Sequence, residues 1–437
     1  MKLVYNVNDK PPIGKLIVFS LQQLMSILAA TILVPLLIGH GMTPAAALCG
    51  AGIGTLAYLL ITKGKSPVFL GSSFAFLGAL GSGIPYGFLG ILIGGVLAGL
   101  VYVIVSLVIK GVGVNWLNKL LPPVIIGPTV ALIGLSLSSS AISNVQTSTG
   151  KYSFVTILVG LFTLAVTIIC STYGKKTIKM LPFIIGIGAG YVLSIVLSII
   201  GDVADIASLQ LINFDAFKNM EIFAVPDFTF MKALDEVKDF DWGNIATIAL
   251  LFCPVAFVAL AEHVADHKNL SSIIEKDLLA DPGLDKTIMG DGVGTMIGAF
   301  FGGCPNTTYG ESVGCVAITK NASIYSILGA AIAAVVLSFF GPFVTFAGTI
   351  PSCVIGGVCI ALYGFIAVSG LKMLQKVDLN LNKNLFIVAA ILVPGIGGLT
   401  LIFGDPADPV VTITNIATAL ILGILVNLLV SRSKESE

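Results

Sequence analysis

The sequence predicts an all-α polytopic membrane protein of fourteen spanning segments, arranged as two inverted repeats of seven. Three observations carry that expectation. Of 437 residues, 56% are hydrophobic and only 11% are charged, against about 25% charged in an ordinary soluble domain, and the mean hydropathy is +1.02. Apolar runs of roughly 17 to 25 residues, long enough to cross a bilayer as helices, recur along the whole chain. Two further segments, at corresponding places in the two halves, are broken by Gly, Pro, Ser and Thr, which is the sequence pointer to the central site of a secondary transporter.

Taken in order, the unbroken runs lie near 16–38, 43–62, 85–109, 122–142, 152–171, 181–200, 243–263, 287–303, 322–347, 351–370, 384–403 and 410–431, with the broken ones near 67–80 and 305–319. The first run follows a charged, proline-containing stretch that ends at Pro12 and shows no small-residue cleavage pattern, so an uncleaved first span is expected. Basic residues test the count, because Lys and Arg concentrate in cytoplasmic loops. With the N-terminus inside, nineteen of the 23 basic residues fall on the cytoplasmic side, leaving Lys151, Lys218, Lys232 and Lys238 outside. Both termini are then cytoplasmic. Breaks in the third and tenth segments divide the chain into two sevens, and because seven is odd the second repeat enters from the opposite side. Between the halves, 201–242 is the one long polar stretch, read as a solvated linker with a short amphipathic helix. Glycine-rich runs at 90–95 and 186–190 are read as close helix packing, since no strand–loop–helix context makes them nucleotide loops.

Composition also excludes classes of function. A net charge of zero provides no basic stripe to neutralise phosphates, so no nucleic-acid partner is expected. The seven cysteines are odd in number, lie mostly inside apolar runs and form no CxxC pair, so neither a disulfide framework nor a metal site is expected. No cofactor is implied.

The chemistry concentrates where the apolar pattern fails. In Cys304-Pro305-Asn306-Thr307-Thr308-Tyr309-Gly310-Glu311, a carboxylate sits on a segment too interrupted to be one helix, and a carboxylate at membrane depth is costly unless it meets a substrate, a proton or a partner. Gly71-Ser72-Ser73-Phe74-Ala75 echoes that order in the first half. A second acid, Glu262, stands four residues before Asp266, so the two share a helical face. Glu262 is either an interfacial carboxylate at the end of its span or a partner of Glu311 across a shared cavity, where paired carboxylates in low dielectric compete for protons. His263 and His267 are also four apart, but the order E-H-x-x-x-H is not the H-E-x-x-H of zinc proteases. Asp291 is a third acid within an apolar run, read equally as a helix-packing residue or as part of transport. His40 is read as solvated.

At this point the residues resemble a family. Gly71-Ser72-Ser73-Phe74-Ala75-Phe76, Ala261-Glu262-His263-Val264, Asp281-Pro282-Gly283-Leu284, Asn306-Thr307-Thr308-Tyr309-Gly310-Glu311, and Gly356-Gly357 with Leu362-Tyr363-Gly364 look like the nucleobase–ascorbate transporter family, in its bacterial uracil-transporting branch. The resemblance implies a core domain built from spans 1–4 (residues 1–110) and 8–11 (243–350), and a gate domain built from spans 5–7 with the polar loop (111–242) and 12–14 (351–437). It implies short antiparallel strands in spans three and ten, uptake of a base with protons across the inner membrane, and a homodimer. Carried over residue by residue, Glu262 and Glu311 resemble the pair that hydrogen-bonds the base, and the amides of Phe74 and Gly310 its carbonyl-binding donors. Uracil, with two N–H donors and two carbonyls, suits such a set. Tyr309 is read either as packing near the ring or as a structural aromatic.

The chain departs from the family pattern at three places. Ser312 stands where the signature after the break has Asn. Asp266, with His267 one step on, stands where a histidine linked to proton coupling is common, so Asp266, His267, Glu262 and Glu311 are all coupling candidates. Gln23 stands where close relatives carry His. The leading expectation is a proton-coupled uracil importer and not an enzyme. The rivals are a purine or xanthine transporter of the same family, whose members tend to have Gln at the position of Glu311, and an intramembrane metal-dependent hydrolase using His263 and His267.

Overall fold

The computed structural model describes residues 3–148, 151–175, 177–218, 220–405 and 408–430. Of the basic residues used to orient the chain, Lys2, Lys176, Arg432 and Lys434 lie outside them. In the first half come α1 (Ile13–Ile38), α2 (Pro44–Ile61), β1 (Leu70–Ser72), α3 (Leu77–Gly83), α4 (Gly87–Val112), α5 (Asn115–Leu120), α6 (Pro123–Ser136) and α7 (Ser138–Gln146). A minimal hairpin, β2 (Thr147–Ser148) and β3 (Lys151–Tyr152), leads into α8 (Phe154–Tyr173), α9 (Thr177–Met180) and α10 (Pro182–Ala204). The polar stretch holds α11 (Thr229–Glu236). Then follow α12 (Ile245–Ile274), α13 (Leu284–Gly302), β4 (Asn306–Thr308), α14 (Gly310–Thr319), α15 (Ile324–Ser338), α16 (Gly341–Gly348), α17 (Ser352–Leu374) and α18 (Asn382–Ile396). The hairpin β5 (Leu401–Asp405) and β6 (Asp408–Ile413) precedes α19 (Asn415–Val430).

The described residues are mostly helical (76%), and eight helical stretches among them are long and apolar enough to cross a membrane, with α15, α18 and α19 shorter but apolar. Large side chains such as Ile104, Leu158, Ile199, Val336 and Leu429 stand exposed on α4, α8, α10, α15 and α19, an arrangement suited to hydrocarbon and not to water. This is a multi-pass membrane protein.

The helices pack in two sets. In one, α13 lies against α2 and α4, α15 against α1 and α2, α12 against α4, and α14 against α1 and α12. In the other, α17 lies against α6, α7 and α8, α10 against α8, and α18 against α6 and α19. Glycines set the closest approach. A Cβ at Gly50 would stand 3.2 Å from the Gly298 Cα, and one at Gly54 would stand 3.1 Å from the Gly294 carbonyl. Between these two i, i+4 pairs the Asn306 side chain is inserted, its Nδ2 donating to the Gly50 carbonyl at 3.0 Å.

Where α2 ends, the chain does not continue as a helix. β1 pairs antiparallel with β4 in the register Leu70↔Thr308, Gly71↔Thr307 and Ser72↔Asn306, extended by Ser73 N–H to the Pro305 carbonyl at 2.9 Å and Tyr309 N–H to the Phe69 carbonyl at 3.3 Å. All six strand residues are buried, and backbone groups on the outer edges of the pair bond side chains instead: the Leu70 N–H donates to Thr55 Oγ1 at 3.0 Å and the Asn306 carbonyl accepts from the Thr295 hydroxyl at 2.7 Å, as a low-dielectric interior demands.

Several expected boundaries shift. The span expected at 243–263 belongs to a helix that continues to Ile274, because hydropathy marks where a helix leaves hydrocarbon and not where its hydrogen bonds stop. The run 322–347 is two helices, α15 and α16, split where Phe339 and Gly341 exchange backbone bonds with Ala224 and Ile222 at 3.0 and 2.9 Å. The runs 384–403 and 410–431 flank the β5–β6 hairpin, where β-branched residues such as Val411, Thr412 and Ile413 suit a strand. Within 201–242, α11 packs on α4, the Glu236 carboxylate accepts from the Leu89 N–H at 2.8 Å near the start of α4, and Lys232 Nζ donates to the Gly41 carbonyl at 2.7 Å. That part of the stretch is docked, not merely a solvated linker.

Candidate functional site

Between the two packing sets lies a cavity of about 390 Å³. One wall comes from α12 and α14. The other comes from α6, α8, α9, α10 and α17. On the first wall, α12 presents Glu262, Asp266 and Asn269 one or two turns apart, and α14 presents Gly310, Glu311 and Cys315 from its first turns. Opposite stand Ser171, Lys179, Phe183, Phe365 and Ser369, with the Phe183 and Phe365 rings edge to face at 5.9 Å. Three carboxylates therefore share one partly enclosed space, and among the described residues none of them is ion-paired with a basic side chain.

Local geometry explains why α14 can present an acid here. The chain enters it from β4 through Tyr309 in extended conformation, so the helix begins in the buried interior beside the cavity that Gly310 and Glu311 line, and its first N–H groups have no preceding turn to accept them. Glu311 in that first turn is favourably placed against the helix dipole. Asp266 is held from the strand side, where the Thr308 hydroxyl donates to its Oδ2 at 3.1 Å. Gly310 lies against it as well, since a Cβ at Gly310 would sit 3.6 Å from the Asp266 Oδ1.

Glu262, Asp266, Gly310 and Glu311 are thus brought together. Phe74 and Tyr309 do not line this cavity. Phe74 stands at the start of the 3-10 turn after β1, buried and edge-on to Tyr363 of α17 at 5.8 Å. Tyr309 is buried with its ring over Gly71 and its hydroxyl donating to the Ser72 carbonyl at 2.8 Å. His267 faces away from the cavity: its Nε2 lies 2.7 Å from the Tyr58 hydroxyl and 3.2 Å from the Ser66 hydroxyl, and its Nδ1 lies 2.9 Å from the His263 carbonyl. His263 Nδ1 lies 2.7 Å from Asp291 Oδ2 on α13. His40 is exposed in a loop.

Sequence reasoning left several contributors unassigned. Ser312 is fully buried, and its Oγ accepts from the Phe69 N–H at 3.0 Å and from the Gln23 side-chain amide. The two departures from the family pattern at Gln23 and Ser312 therefore meet each other. Nothing in the spacing could show this, since 289 residues separate them. Lys179 and Ser171 reach the cavity from the second packing set without any local motif. Among the described residues, no group of three or more His, Cys, Asp or Glu side chains has metal-holding geometry.

Comparison with known proteins follows the same lines. Among curated proteins, a uracil permease of Bacillus caldolyticus is 41% identical over 98% of this chain and 95% of its own length. That of Bacillus subtilis (strain 168) is 39% identical over 100% and 97%, and that of Escherichia coli (strain K12) 37% identical over 97% and 93%. Among solved structures, the transmembrane domain of the cyanobacterial bicarbonate transporter BicA shares the fold with a TM-score of 0.62 at 15% identity, covering 97% of this chain and 100% of that one. SLC26A9 does so with a TM-score of 0.67 at 11% identity, covering 96% and 65%. A family model described as Permease family matches residues 14–404. On that match and those relatives, the chain belongs to the permease family, the nucleobase–ascorbate transporters that its motifs resemble.

Proposed function

We propose that this protein is a proton-coupled uracil importer of the inner (plasma) membrane, a secondary active symporter that binds the base between a core and a gate domain. The observation that carries the proposal is the convergence of Glu262 and Glu311, from two different segments, on one cavity beside the amide end of α14. Uracil presents two N–H donors and two carbonyl oxygens. Carboxylates accept from the former, and unpaired helix-end amides donate to the latter. Relatives over nearly the full length are uracil permeases, which supports the same substrate class.

In this reading the fourteen segments form two inverted repeats of seven, with β1 and β4 as the breaks in the third and tenth. The first packing set is the core, the second is the gate, and the carrier works as a homodimer with both termini cytoplasmic. The excess of basic residues assigns Lys179 to the cytoplasmic side, so the cavity it lines is open inward. Asp266 is the better coupling candidate than His267, because Asp266 lines the cavity while His267 is enclosed by Tyr58, Ser66 and the His263 carbonyl. The test is labelled-uracil uptake into vesicles with thymine, xanthine and ascorbate as competitors, with and without a protonophore and with sodium replaced. Saturable uptake competed by xanthine but not by excess uracil, or uptake that survives the protonophore and needs sodium, rejects the proposal.

A further inference from the structure

On the side of α12 turned from the cavity, His263 meets Asp291 of α13 with both side chains fully buried. With the Thr287 hydroxyl turned to the Leu284 carbonyl, 3.2 Å away, its oxygen accepts from His263 Nε2 at 3.1 Å and that nitrogen then carries a hydrogen. His263 Nδ1 and Asp291 Oδ2, 2.7 Å apart, cannot both be bare, because two lone pairs at that distance repel. One proton lies between them. Whether it rides on nitrogen or on oxygen, the pair sums to zero charge. His267, stacked on His263 with ring centres 4.0 Å apart, adds no charge. Its Nδ1 donates to the His263 carbonyl, and its Nε2 is left to accept from the Tyr58 or Ser66 hydroxyl.

We propose that His263 is a positioning residue for the substrate site: by sharing a single proton with Asp291 it cancels a carboxylate charge behind Glu262 and pins α12 to α13 with Glu262 and Asp266 turned to the cavity. The titratable groups close enough to feel the pair's charge are Glu262, Asp266 and His267 on α12 itself, Tyr58 on α2 and Tyr102 on α4. All but His267 are acids. An unneutralised Asp291 would therefore add a buried negative charge to a site that already holds three carboxylates, where low dielectric magnifies the repulsion. Its Oδ1 also finds no hydrogen-bond partner, which a pair of zero net charge tolerates better than a bare carboxylate does. The role of the pair is to leave the cavity acids to set the pH at which protons bind and leave.

This inference rests on the transport reading above, and the experiment separates the two. Uracil uptake into vesicles is measured across pH for the wild type, His263→Ala, Asp291→Asn and the double variant, with thermal melting of each purified protein. Asp291→Asn is expected to keep the wild-type midpoint, since its amide supplies the hydrogen to Nδ1. His263→Ala is expected to move the midpoint of uptake to higher pH by about 1 unit, because a bare carboxylate makes neighbouring acids hold their protons longer. The double variant is expected to bring it back. If His263→Ala does not melt cooperatively, His263→Gln carries the same test, because its amide fills the space yet cannot share the proton. Lower uptake at an unchanged midpoint, or a double variant that fails to restore it, overturns the proposal. A wild type without protonophore-sensitive uracil uptake overturns the transport reading instead.

Discussion

The Thr308 hydroxyl donates to the Asp266 carboxylate at 3.1 Å, joining the last residue of β4 to the cavity face of α12. The broken segment that ends in Glu311 and the helix that carries Glu262 are thus tied at the one acid that lies between them. Any movement of α14 against α12 must carry or break this bond. It places Asp266 where a proton can be gained from the cavity without unfolding either element.

Asp266→Asn is expected to leave uracil exchange intact but to abolish uphill accumulation, since exchange needs only a loaded carrier to reorient while accumulation needs a proton to enter and leave. His267→Ala should not reproduce that split, because its imidazole faces Tyr58 and Ser66. Counterflow and net uptake in the same vesicles measure both. Accumulation at wild-type level in Asp266→Asn would place the coupling proton on Glu262 or Glu311.

For Glu311→Gln we expect a folded carrier with much weaker uracil binding. A carboxylate accepting from a ring N–H contributes about 1.5–3 kcal/mol, which is about a ten- to hundredfold change in Kd. Isothermal titration in detergent reads it directly. A Kd within twofold of wild type removes Glu311 from the site.

Ser312→Ala should destabilise the fold by about 1–3 kcal/mol, because it leaves the buried Phe69 N–H and the Gln23 amide without their acceptor. Ser312→Thr keeps the oxygen and should recover most of the loss. The melting temperature of the purified protein decides, and equal melting of the Ala variant and the wild type would contradict the assignment.

Gly298→Ala puts a methyl group into the Asn306 side chain where it lies in the glycine crevice. Overpacking of this kind costs about 1–3 kcal/mol. The effect should appear as a lower melting temperature with the uracil Kd little changed, since Asn306 does not line the cavity. Gly348→Ala, where a Cβ would meet nothing within 4 Å, is the matched control.

Much of this protein is legible from sequence because a bilayer leaves the chain few choices. Apolar run length fixes a helix when no water is present to satisfy any other backbone, so the long apolar stretches that became α1, α2, α8, α10 and α17 stand out in the composition. Carboxylates inside such runs are conspicuous for the same reason, and Glu262, Asp266 and Glu311 do converge on one cavity. What spacing could not show is everything that depends on which segments meet. Examples are the register of Leu70 with Thr308, the bond from Gln23 to Ser312, and the burial of His263 against Asp291. The helical continuation of α12 to Ile274 was hidden because its last turns are polar, and hydropathy does not report hydrogen bonds in water.

The pairing of β1 with β4 has a consequence for how the protein is made. The two strands lie more than 230 positions apart in the chain, and elongation adds about 5–20 residues per second. For some ten seconds or more after Leu70–Ser72 emerges, its complement does not yet exist. An extended backbone cannot wait in lipid with its N–H and C=O groups unpaired. The first half of the nascent chain must therefore keep this stretch in the insertion machinery, in the headgroup layer or in a temporary helix until Asn306–Thr308 arrives. Biogenesis of this carrier thus hinges on a late, long-range pairing, and a chain truncated before residue 306 is a natural substrate for membrane quality control.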